Sequence, residues 1–277
     1  MIKLYAAITT CLLILPQATA CGQRVVEWSG YEWNVSDSGD QRRGPGNNLF
    51  SGSDKNVFID ANGLLHLKIS QRDDGQWTSS QVALTKSLGY GTYQWELASR
   101  WDGYASNVVV GLFTYLSPAR VASQTDGEVG NKKPDTPHEI DIEFTSAWGP
   151  GNHFFTTHDP DTKSPGVHFL SKPNTDNTTH RFRWSQAEIQ WESFEGFLTE
   201  GTQASYPLQE TLAGKGLGRS IRHIYNGPVV PKDLDEVPII NFWIFHPKDQ
   251  KPYVEGPDND KEHELIIRSF KYIPLGK

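Results

Sequence analysis

No stretch of this chain keeps apolar residues at a 3.6-residue period for three turns, and that constrains the fold more than any other feature. In place of helices the sequence offers short runs of β-branched and aromatic residues broken by turn residues. Val57 to Ile59 and Leu64 to Ser70 flank Asp60-Ala-Asn-Gly63, the pattern of a hairpin with an Asn-Gly turn. Gly91 to Trp101 reads as a long strand. Asn107 to Leu116 is almost continuously apolar and reads as a buried one. Further strands are expected over 139–148, 153–157, 180–184, 188–194, 239–245 and 265–273. The irregular stretch 203–235 has room for a short helix. Many strands, frequent turn signals and few helices predict an all-β sandwich or barrel. The 277 residues suffice for one large domain of that kind or two small ones.

The first twenty residues read as a leader rather than as part of the fold. Lys3 supplies a basic start, Ala6 to Leu15 is apolar, and Ala18-Thr19-Ala20 is a small-residue cleavage signal. A signal peptide is therefore expected over 1–20 and a single domain over 21–277. The apolar run is shorter than the about 20 residues needed to cross a bilayer. Of the two cysteines, Cys11 lies in the leader and Cys21 follows the cleavage point, so the mature chain is expected to form no internal disulfide. A lone cysteine there resembles the lipidation site of bacterial lipoproteins, although Ala18 stands where Leu is commoner. Simple secretion and a lipid anchor at Cys21 both remain open. Asn34-Val-Ser36 and Asn177-Thr-Thr179 are glycosylation sequons, relevant in a eukaryotic source.

The net charge is -7, from 26 Lys plus Arg against 33 Asp plus Glu, which argues against nucleic acid as a partner. Aromatic residues make up 12% of the chain and include 9 Trp, enough to fill a core and to leave platforms for sugar rings. The nine His residues show no paired metal-ligand spacing. His153 and His158 flank a strand and read as structural or exposed. Asp233-x-Asp235 and Asp258-Asn-Asp260 fit no twelve-residue calcium loop and read as solvated turns.

The most informative segment is His138-Glu-Ile-Asp-Ile-Glu-Phe144. Side chains on a strand alternate between faces, so Glu139, Asp141 and Glu143 share one face while Ile140, Ile142 and Phe144 share the other. A solvated acidic stripe is the bland alternative. It is disfavoured because three like charges repel, strands disfavour Asp and Glu, and this strand holds no basic residue to offset them. Glycosidic hydrolysis wants such a set: one carboxylate ionised, one carboxyl protonated, and a third nearby to hold their pKa values apart. On a straight strand, Cα atoms four apart lie roughly 13 Å from each other. The two side chains must lean inward to reach the about 5 to 5.5 Å separation of a retaining pair. The polar stretch 117–137 leads directly into this strand and is expected to border the site.

The E-I-D-I-E-F pattern resembles the active-site strand of glycoside hydrolase family 16, in the unbulged form of lichenases and xyloglucan-active members. Thr85-Lys-Ser-Leu-Gly-Tyr-Gly-Thr-Tyr93, Val110-Gly-Leu-Phe-Thr-Tyr115, His180-Arg-Phe-Arg-Trp184 with Ile189-Gln-Trp191, and Ile240-Asn-Phe-Trp243 resemble the family's other segments, in its order. The resemblance implies a β-jelly-roll sandwich of two curved antiparallel sheets with a cleft across one face. It implies Glu139 as nucleophile, Asp141 as the residue that tunes it, and Glu143 as general acid and then base. It also points to Tyr115 and Trp243 as cleft residues. Trp148 joins them by its place four residues beyond Phe144. The sequence departs from the lichenase pattern at Val82-Ala-Leu84, where an acidic-x-Arg element is usual, in the length of 117–137, and at His138, where Asp or Asn is common. These departures leave the linkage open. The implied activity is retaining, endo-acting hydrolysis of a polysaccharide, a β-glucan above others, by a monomer with no cofactor. Transglycosylation uses the same residues, and a lectin-like carbohydrate-binding protein is the alternative from another class.

Overall fold

In the computed structural model, residues 23–116, 138–158, 165–197, 221–247 and 256–275 are described. Alternating apolar residues draw them into sixteen strands, and no helix occurs among the described residues. In chain order the strands are β1 (Val25–Trp28), β2 (Tyr31–Val35), β3 (Val57–Ile59), β4 (Leu65–Gln71), β5 (Trp77–Thr78), β6 (Ser80–Leu84), β7 (Gly91–Ala98) and β8 (Val108–Tyr115). Then follow β9 (Glu139–Phe144), β10 (His153–His158), β11 (Gly166–Phe169), β12 (Asn177–Trp184), β13 (Ile189–Glu195), β14 (Ile221–Tyr225), β15 (Val237–Ile244) and β16 (His263–Pro274).

Two eight-stranded antiparallel sheets result. The first runs β1-β2-β6-β15-β8-β9-β10-β11, and the second β14-β13-β12-β7-β16-β4-β3 with β5 paired to β4. Consecutive strands pair in runs such as β8-β9-β10-β11 and β12-β13-β14, but β15 inserts between β6 and β8, and β16 between β4 and β7. These crossings are the jelly-roll arrangement. Between the sheets lies one aromatic-rich core. Trp33 and Phe155 meet Tyr93, Trp95, Phe182, Trp184 and Trp191 there, all fully buried. Burying a large apolar side chain is worth about 1.5–3 kcal/mol, so this layer dominates the folding energy. Ile140, Ile142 and Phe144 anchor β9 in it.

The expected strands form, with edges that differ for local reasons. The Asp60–Gly63 turn is a longer loop than a two-residue hairpin. Asp60 Oδ1 accepts from the backbone N–H of Asn62 (2.9 Å) and Leu64 (2.8 Å), so an Asx turn organises it. The acidic strand stops at Phe144 rather than reaching 148. There Thr145 Oγ1 takes the N–H of Ala147 at 3.2 Å and turns the chain. No helix forms over 221–235, where β14 and an irregular connection stand instead; residues 203–220 lie outside the described residues. So do the leader, Cys21 and the stretch 117–137.

Candidate active site

The site is built by the period of β9 and the register of its neighbours. Across the sheet Glu139 pairs with Tyr115 on one side and His158 on the other. Asp141 pairs with Phe113 and Thr156, and Glu143 with Gly111 and Phe154. Beyond β8 the rows continue onto β15, where Val237 meets Tyr115, Ile239 meets Phe113, and Asn241 meets Gly111. Phe113, Val237 and Ile239 form an apolar patch of their own, separate from the inter-sheet core, with Ala83 and Tyr115 against it. The three carboxylates therefore rise from an apolar floor on the outer face of the first sheet.

Their environment resists ionisation. Asp141 is only 2% exposed, while Glu139 and Glu143 are half-buried. Burial pushes the Glu139 carboxyl up to about 7, with a side-chain hydrogen bond from Asp141 acting in the opposite sense. Burial, and then the charge of Glu139, push Glu143 up to about 8. Asp141 is driven well above the usual carboxylate range by burial, then by the charges of both glutamates. A protonated Asp141 that donates to Glu139 is the arrangement that favours a charge on Glu139. Glu143 can then keep its proton near neutrality.

Contacts from both sides fix the strand. Trp191, on β13 of the opposite sheet, reaches across the core and donates Nε1–H to the carbonyl of Asp141 at 3.0 Å. The Thr157 hydroxyl lies 2.9 Å from the carbonyl of Glu139 and 3.1 Å from that of Val229. Beside Glu143, Gly111 has no side chain for a reason: a Cβ there would fall 2.3 Å from Asn241 Oδ1. That buried Oδ1 accepts no hydrogen bond among the described residues, so it faces the floor as an available acceptor.

Tyr115, Trp148 and Trp243 all lie near this face, in different states. Tyr115 stands in the Glu139 row, with its ring 5.4 Å from that of His138. Trp243 packs on Phe50 and Val109, and Trp148 approaches it at a ring distance of 6.3 Å. The Gly46 backbone covers Trp243, since a Cβ on Gly46 would lie 2.5 Å from its ring. Trp243 is thus a buried prop at 6% exposure. Trp148 is partly exposed and is an aromatic ring of this end that can offer a face to a ligand. A cavity of about 630 Å³ is lined by groups such as Asp37, Asp40, Arg72 and Asp74 and shares no residue with β9.

A Bacillus licheniformis β-glucanase superposes on this chain with a TM-score of 0.56, over 88% of this chain and 92% of that one, at 18% identity. The chain has the fold of the β-glucanases. A β-1,3-1,4-glucanase (lichenase) from a mouse hindgut metagenome gives a TM-score of 0.58 at 17% identity, over 88% and 93% of the two chains. A Mycobacterium tuberculosis antigen described as a pseudo β-1,3-glucanase gives 0.53 at 16% identity, over 85% and 88%. No family model matches the sequence, and no curated protein matches it.

Within this β-glucanase fold two residues acquire a place that spacing alone did not assign. His158, read from the sequence as structural or exposed, lies opposite Glu139 with Nε2 3.3 Å from Asp141 Oδ2. Asn241 reaches the site through the gap at Gly111. For His158 a signal existed: it ends the strand 153–158 at the same period-2 phase as Thr156, on the face that pairs with the carboxylates. His153, by contrast, is fully buried between the sheets.

Proposed function

We propose that the protein is an endo-acting, retaining glycosidase that cleaves β-glycosidic bonds of a β-glucan. One observation carries this reading. Three carboxylates share one face of a central strand, the middle one buried between two half-buried partners, over an apolar floor on an open sheet face. In the proposed reaction Glu139 attacks the anomeric carbon as Glu143 gives its proton to the departing glycosidic oxygen. A covalent glycosyl-enzyme forms. Glu143 then takes a proton from water, whose oxygen displaces Glu139 and restores the free enzyme. Asp141 orients Glu139 through the hydrogen bond between them. The names of the β-glucanase and lichenase neighbours support a β-glucan as the polymer. Trp148 and the Asn241 acceptor are the proposed sugar contacts, and Tyr115 flanks the nucleophile.

A non-catalytic carbohydrate-binding role is the second reading. It is favoured by one neighbour of the same fold being described as a pseudo-glucanase. Mixed-linkage β-glucan, laminarin, xyloglucan and agarose should be incubated with the wild type and with Glu139→Gln, reading new reducing ends and the product anomer by NMR. Release by the wild type alone, with the β anomer first, supports the retaining hydrolase. Binding without release by either protein supports the lectin-like reading. We further propose export with cleavage before Cys21, the mature chain being either simply secreted or lipid-anchored at Cys21. Labelling with a radioactive fatty acid, lost in Cys21→Ser, separates the two.

A further inference from the structure

The face that carries the carboxylates also carries an imidazole, and the group as a whole has the make-up of a cation site. Glu139, Asp141 and His158 each present one ligand atom, and the three atoms lie within 4.8 Å of one another. Two of them, His158 Nε2 and Asp141 Oδ2, are 3.3 Å apart. A tetrahedral ion with bonds of about 2.0–2.2 Å separates its ligands by about 3.3–3.6 Å, so this pair already spans one edge of such a shell.

An independent observation marks the same spot. Asp141 Oδ2 is buried and has no hydrogen-bond partner among the described residues, its polar neighbour there being the His158 ring nitrogen at ion-pair distance, 3.3 Å. A buried carboxylate oxygen without a hydrogen-bond donor is unfavourable, and it calls for a partner between it and its neighbour. The backbone is ready to hold one. Glu139 and His158 are directly opposed across β9 and β10, and Trp191 and Thr157 fix the carbonyls of Asp141 and Glu139. The His158 side chain is 40% exposed, which leaves an approach from solvent.

We propose that Glu139, Asp141 and His158 form a site for a borderline divalent cation of the zinc class. One imidazole and two carboxylates with a fourth position open to water suit zinc, whereas calcium requires six to eight oxygen ligands that this face does not gather. Occupation would hold Glu139 away from an anomeric carbon and so switch hydrolysis off reversibly. That consequence rests on the proposed glycosidase function; binding of the ion does not.

The test uses the mature chain without an affinity tag. Zinc binding is followed by calorimetry, and cobalt(II) is added as a coloured probe of four-coordinate geometry. The wild type should bind one zinc per chain and give intense cobalt absorption in the visible range. His158→Ala should weaken zinc binding about tenfold or more and abolish the cobalt colour. Glu143→Gln and His66→Ala should bind as the wild type does, and calcium at the same concentration should give no heat. Absence of zinc binding by the wild type, or unchanged affinity in His158→Ala, would overturn the site. Zinc that stops glucan hydrolysis by the wild type and spares residual activity of His158→Ala would establish the switch. A chain that binds zinc through His158 yet cleaves no polymer would leave the cation site standing and remove the glycosidase reading.

Discussion

A buried histidine pair in the core predicts a loss of stability in acid. His153 on β10 and His180 on β12 face each other between the sheets, joined through Ser193. The hydroxyl of Ser193 lies 3.1 Å from His153 Nε2 and 2.8 Å from His180 Nδ1. The chain continues to Ser171 at 3.2 Å from His153 and to Thr178 at 2.8 Å from His180. The rings around it are aromatic, Phe144 at 4.5 Å from His153 and 4.7 Å from His180. Burial lowers His180 to about 3 and His153 well below its ordinary value, the latter with a further push from His180. Both are neutral in the folded state, while an unfolded histidine protonates near about 6.5. Below that pH the unfolded chain binds more protons than the native one, so stability falls as pH falls until the native histidines themselves titrate. Each histidine costs about 1.4 kcal/mol per pH unit in this window, or about 2.7 kcal/mol by about pH 4.5. Other groups titrate in the same range, notably the raised carboxyls of Glu139, Glu143 and Glu236. The measurement is therefore a difference: urea unfolding of the wild type and of His180→Gln between about pH 7.5 and 4.5. The gap between them should shift by about 2.7 kcal/mol in favour of the variant as pH falls through this range. A gap that stays constant with pH, or a His180 ring proton that titrates near about 6.5 in the folded protein, would refute the reasoning.

Three further predictions concern single contacts. Glu143→Gln should lower kcat/KM for glucan by about 10²- to 10⁴-fold while leaving the thermal midpoint unchanged, since Gln replaces a carboxyl that burial already keeps neutral; steady-state kinetics and a melting curve check both halves. Gly111→Ala places a methyl 2.3 Å from Asn241 Oδ1 and should cost about 1–3 kcal/mol in denaturant unfolding, partly recovered by adding Asn241→Ala. Glu192→Gln should cost about 3–5 kcal/mol, because Glu192 is buried and gathers Arg181 and Arg222, and the substitution breaks the buried ion pair with Arg181.

Much of this protein is legible in its sequence. The period-2 runs mark most strands, and HEIDIEF places three acids opposite three core anchors, because side-chain direction on a strand is a local property. The sequence also sets the all-β class, since nothing in it sustains a helical face. Short strands such as β1, β2, β5, β11 and β14 escape local reading because their partners, not their composition, stabilise them. What the acids stand among was decided only by tertiary pairing. Register across β10, β9, β8 and β15 brings His158 to Asp141, 17 residues apart in the chain, and slots Asn241 into the gap at Gly111, 130 residues apart. The same packing buries Trp243 under Gly46 and leaves Trp148 partly open, although the sequence treats the two rings alike. Pairing between distant strands depends on the shape of the whole sandwich, and no local pattern encodes it.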